Sequence, residues 1–71
     1  MQTLREARLK KEVQERVLMN DGDVHKSFQE VLDHLYKEHE LYYDNDRHVQ
    51  AIDTWKDILE LKHMINKFNE L

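Results

Sequence analysis

Two short stretches, Asn20-Asp21-Gly22-Asp23 and Asp44-Asn45-Asp46, decide how this chain folds. The first holds the only glycine, and there is no proline or cysteine. Glycine and proline are the strongest local breaks a sequence has. Asn and Asp tolerate left-handed backbone and cap helices with their short side-chain oxygens. With only these two marks in 71 residues, the chain divides into three long uninterrupted segments.

The first segment, about Thr3 to Met19, opens on Thr3-Leu4-Arg5-Glu6. This is a capping box, in which the Thr3 hydroxyl accepts from the Glu6 N–H and the Glu6 carboxylate reaches back. Good helix formers follow, but Leu9, Val13 and Val17 make only a thin apolar stripe. Such a helix cannot bury a broad face. It is expected to dock loosely, or to become ordered against a partner.

The second segment, about Val24 to Tyr43, follows Asp23 as N-cap. Val24, Phe28, Val31, Leu32, Leu35, Tyr36, His39, Tyr42 and Tyr43 share one arc of the helical wheel. That periodicity predicts an amphipathic helix. The third segment, about Arg47 to Asn69, has Asp46 as its expected cap. Its apolar set runs from Ala51 and Ile52 through Trp55, Ile58, Leu59, Leu61 and Ile65 to Phe68, and Val49 and Met64 widen it. This arc is wider than one neighbour can cover. Met64 to Leu71 is apolar enough to pack.

The expected fold is therefore all-α with three helices. The short second connection makes segments two and three an antiparallel helical hairpin, which could assemble into a helical bundle. The whole chain, 1–71, is one domain, with 1–20 a basic, loosely docked helix and 21–71 an acidic hairpin. A core this small yields ~3–5 kcal/mol of net stability unless something else helps. With no cysteine, no disulfide helps. In this reading Trp55 anchors the hairpin core against Phe28, Leu32 and Leu35.

Charge bounds the function. Residues 1–20 carry five bases against three acids, and 21–71 carry six against twelve, giving the overall net of −4. That field opposes non-specific binding of nucleic acid, which needs cations to neutralise phosphates, and it favours solubility or basic partners. No apolar run reaches the ~20 residues of a membrane helix, and the first residues lack the apolar stretch of a signal peptide. The expected location is cytoplasmic.

No motif for chemistry stands out. Glu30, His34 and Glu38 are spaced i, i+4, i+8 and share one helix face, but a zinc site needs three or four converging ligands. An exposed polar face is the expected outcome, with a His/Glu metal-binding protein as a second alternative. Asp53, Asp57 and Glu60 lie opposite Trp55 and are expected to be solvated. Ser27 has His25 nearby but no third group or glycine-rich loop for nucleophilic catalysis. The acids around Gly22 do not keep the register of a calcium loop. No enzyme, cofactor or metal is expected, and no small-molecule substrate.

What remains is contact with protein. Tyrosine and tryptophan bury area while keeping a polar handle, so they dominate interfaces. Trp55 and Tyr36 are assigned to the core. Tyr42 and Tyr43, 100° apart on the wheel, cannot both face inward. Candidate contact residues are Tyr42, Tyr43, Leu61, Met64, Ile65 and Phe68. His39, in the middle of an apolar arc, is the candidate pH-sensitive residue. The expected function is a non-enzymatic protein-interaction module, a small acidic regulator, inhibitor or assembly subunit of bacterial or phage type. Its partner is another protein or a second copy in a homodimer. The alternative is a nucleic-acid-associated regulator that uses Arg5, Arg8, Lys11 and Arg16 of the basic first helix.

Overall fold

A computed structural model describes residues 3–70. Three helices account for almost all of them: α1 (Leu4–Met19), α2 (Val24–Asp44) and α3 (His48–Asn69). Leu71, the last residue of the expected packing tail, lies outside the described residues.

The helix ends follow from the breaks. Thr3 caps α1, its hydroxyl accepting from the Glu6 N–H at 3.1 Å. Asp23 caps α2 by accepting from the Lys26 N–H at 3.0 Å. Both turns end their helix with the same dipeptide, Asn20-Asp21 and Asn45-Asp46, and in each the aspartate is left-handed (φ 54° and 58°). The amide two residues beyond the cap then closes onto the last helical turn, Gly22 to the Val17 carbonyl at 2.8 Å and Arg47 to Tyr42 at 2.9 Å. These are Schellman-type endings. One expectation fails here. Asp46 does not cap α3, because its left-handed backbone terminates α2 instead. Arg47 takes the N-cap position without a side-chain bond.

The hairpin is as expected, with α2 and α3 sharing the most extensive interface. The core is built from Leu9 and Val13 of α1, Phe28, Val31 and Leu35 of α2, and Ala51, Ile58 and Leu61 of α3. Val17, Val24, Leu32, Met64 and Ile65 pack against it, half-buried. Ser27 is buried and structural: its hydroxyl donates to the Asp23 carbonyl and accepts from Asn20 Nδ2, which also donates to Glu30.

Two assignments of the sequence reading are overturned. Trp55 is not in the core, since 42% of it is exposed. Tyr36, at 37%, is a surface residue as well. The reason is the direction from which α1 approaches. It docks beside the Thr54, Asp57 and Leu61 face of α3, which turns that face inward and swings Trp55 about 100° away from it. The small side chains of Ala51 and Thr54 are buried in the place a tryptophan was expected to fill.

A further correction concerns Asp57. It is buried, not solvated, and both Arg5 and Arg8 donate to its Oδ1, Arg8 at 2.7 Å. Arg5 also donates to Asp53 Oδ1 at 2.8 Å and to the Asp53 carbonyl at 3.0 Å. The Asp53 carboxylate, with Asp57 adding to it, raises the Arg5 pKa against the effect of burial, and the Arg5 hydrogen bond lowers that of Asp53. Charge as well as Leu9 and Val13 therefore ties α1 to the hairpin.

Candidate protein-contact face

Among the described residues no helix covers the side of the hairpin away from α1. There the surface is aromatic and aliphatic: Tyr36 and Tyr43 from α2, with Ile52, Trp55 and Leu59 from α3, all more than a third exposed. The spacing explains the grouping. Tyr36 and Tyr43 are seven apart, as are Ile52 and Leu59, so each pair stacks along one helix face.

His39 joins the two rows. Its ring lies 5.3 Å from that of Trp55 and 6.3 Å from that of Tyr43. The Tyr43 ring meets His48 edge-on at 6.2 Å. Lys62 crosses from α3 to lie 5.4 Å above the Tyr36 ring. These contacts hold the rings in place while one side of each remains open to solvent. They also show which positions of the antiparallel helices stand level with each other. His39 faces Trp55, and Tyr36 faces Lys62.

The residues singled out from the sequence scatter over several surfaces. Tyr43 belongs to this face. Tyr42 is half-buried on another side, its hydroxyl 3.5 Å from Glu38. As expected, only one of the adjacent tyrosines turns outward. Leu61 is fully buried and belongs to the core, so it offers no surface to a partner. Met64 and Ile65 are half-buried against that core. Phe68 is partly exposed against Phe28 and His25, at ring distances of 5.7 and 5.3 Å. The exposed apolar residues of α3 are therefore Val49, Ile52, Trp55 and Leu59, with Phe68 partly exposed, whereas Leu61, Met64 and Ile65 are not. Within the wide arc a second periodicity was present: Ala51, Thr54, Ile58 and Leu61 repeat at i, i+3, i+7, i+10 and face inward.

Met64 and Phe68 also line an open groove of about 990 Å³ between the end of α1, the start of α2 and the end of α3, with Val13, Val17, Leu18 and Val24. Its rim mixes Glu6 and Glu70 with Lys10 and Lys67 and has no consistent charge.

The other candidates are taken up by structure. Glu30 is engaged by Asn20 at 2.6 Å and lies 3.6 Å from Arg16, while His34 lies 3.3 Å from Glu38. Among the described residues no three His, Asp or Glu side chains gather to hold a metal. Of the four α1 bases proposed to meet phosphate, Arg5, Arg8 and Arg16 all make ion pairs within the chain. No helix among the described residues is long and apolar enough to cross a membrane.

No protein family, curated protein or solved structure matches this chain.

Proposed function

We propose that the protein is a non-enzymatic interaction module that binds a protein partner, another protein or a second copy of itself, through the hairpin face around Trp55. One observation carries the reading. Tyr36, Tyr43, Ile52, Trp55 and Leu59 form a contiguous exposed patch of the residue types that anchor interfaces. Large apolar patches on monomeric proteins mark contact sites. The rings are also pre-positioned by His39, His48 and Lys62, so little side-chain freedom is lost on binding. The internal pairing of Arg5, Arg8 and Arg16 favours this reading over a nucleic-acid regulator, because it leaves α1 few free cations for phosphates.

The test compares two surface variants in affinity capture from the native cell. Trp55→Glu alters the hairpin face, and Leu18→Glu alters the groove. Loss of captured protein with Trp55→Glu, but not with Leu18→Glu, is expected. Capture that survives Trp55→Glu overturns the proposal.

A further inference from the structure

The outer edges of the aromatic face differ in chemistry, acids lining one and a lysine and an imidazole the other. On α2 the exposed acids Asp33 and Glu40 flank Tyr36, and on α3 the exposed Lys56 and His63 flank Leu59. The two sets have the same internal spacing: Asp33, Tyr36 and Glu40 match Lys56, Leu59 and His63 at i, i+3, i+7. Among the described residues none of the four edge groups makes an ion pair within the chain. The His39–Trp55 and Tyr36–Lys62 contacts set the levels. The two contacts give registers two residues to either side of a common mean, which puts Glu40 and Lys56, and likewise Asp33 and His63, within ~3 Å of one level. The two levels are ~10 Å apart, seven residues at 1.5 Å each.

A surface with carboxylates along one edge and the Lys56 ammonium and His63 imidazole along the other, at similar levels, is complementary to itself. We infer that the partner is a second copy of this chain, related by a two-fold axis parallel to the helices. This inference rests on the proposed use of the hairpin face. The axis lays α2 of one protomer on α3 of the other. Glu40 then meets the partner's Lys56, Asp33 meets the partner's His63, and Tyr36 meets the partner's Leu59, with each contact made twice. Such an isologous pairing is the commonest form of closed assembly. The alternative two-fold, perpendicular to the helices, sets α2 on α2 and α3 on α3 and brings like charges together. Like charges face to face across an interface cost several kcal/mol. Two helices ~30 Å long and ~10 Å wide offer ~600 Å² per protomer, which meets the lower limit for a specific pair. The product is a four-helix layer with an α1 on each outer side.

The experiment uses two charge-reversed variants of the full chain, Asp33→Lys with Glu40→Lys, and Lys56→Glu with His63→Glu. The four positions are exposed, and circular dichroism checks that each variant is folded. In sedimentation equilibrium at micromolar concentration the parent is expected at twice the chain mass of 8.7 kDa. Each variant alone should associate at least ~10-fold more weakly, and an equimolar mixture should recover the dimer, because reversed edges meet their complements. A parent that stays at 8.7 kDa, variants that dimerise like the parent, or a mixture that stays monomeric each overturns the inference. The broader reading fails separately. If the parent is monomeric but capture of another protein still depends on Trp55, the face is a contact site for a different partner.

Discussion

Arg8 Nη2 lies 2.7 Å from Asp57 Oδ1, and Arg5, one turn earlier on α1, donates to the same oxygen. One buried carboxylate thus joins two helices that are otherwise held together mainly by Leu9 and Val13.

Replacing that carboxylate leaves Arg8 without its acceptor and Arg5 with Asp53 alone. Asp57→Ala should cost about 1–3 kcal/mol, less than a fully buried pair because both arginines still reach water. Asp44→Ala, at an exposed acid, should change stability by less than ~0.5 kcal/mol. Urea unfolding of the two variants checks this. Equal midpoints would show that the ion pairs contribute nothing to docking α1.

Asp53 gives the cluster a pH dependence. Its pKa in the folded chain is lowered below the ordinary 3.8 by the Arg5 hydrogen bond. A lowered carboxylate stabilises the fold above its unfolded pKa, and the gain is lost as pH falls through the folded value. The stability difference between the parent and Asp53→Asn should therefore be constant above about pH 5 and shrink towards zero under more acid conditions. A difference that persists undiminished in acid would exclude this linkage.

The core can be tested at two adjacent levels of α3. Ile58, fully buried, should cost about 2–5 kcal/mol as Ile58→Ala, enough to unfold a domain this small. Trp55→Ala should cost only roughly 1 kcal/mol, since the ring is partly in water and rests mainly on His39. Thermal melts at low protein concentration, where association does not contribute, measure both. The reverse order would return Trp55 to the core.

Much of this was legible in the sequence. Asn-Asp dipeptides and a lone glycine mark both turns, Thr3 and Asp23 announce their caps, and the 3.6-residue period finds α2. The inward half of α3 was not legible from hydrophobicity, which ranks Trp55 above Thr54 and Asp57. Which side faces in depends on where α1 lands, a long-range fact that no local pattern on α3 contains. A signal existed in the charges. Arg5 and Arg8, spaced i, i+3, match Asp53 and Asp57, spaced i, i+4, as complementary faces of two helices.

The repeated helix ending suggests a stabilising change. Asp46 holds a φ of 58°, a conformation that a side chain disfavours and glycine adopts freely. Asp46→Gly should raise stability by up to ~1 kcal/mol, offset in part by greater freedom of the unfolded chain. A calorimetric Tm below that of the parent would mean that the Asp46 side chain contributes more than the backbone gains.

The placement of charge on α3 also bears on topology. A first helix can close over a hairpin from either side, producing two bundles of opposite turn with similar hydrophobic burial. Here the two sides of α3 differ in sign. Asp53 and Asp57 face the side that α1 occupies, whereas Lys62 lies over Tyr36 on the other. Closure on the observed side gives Arg5 and Arg8 their carboxylates. Closure on the other side would take both arginines away from these two carboxylates and towards Lys62, so the ion pairs help separate two chiral arrangements that oil-like packing alone would leave nearly degenerate.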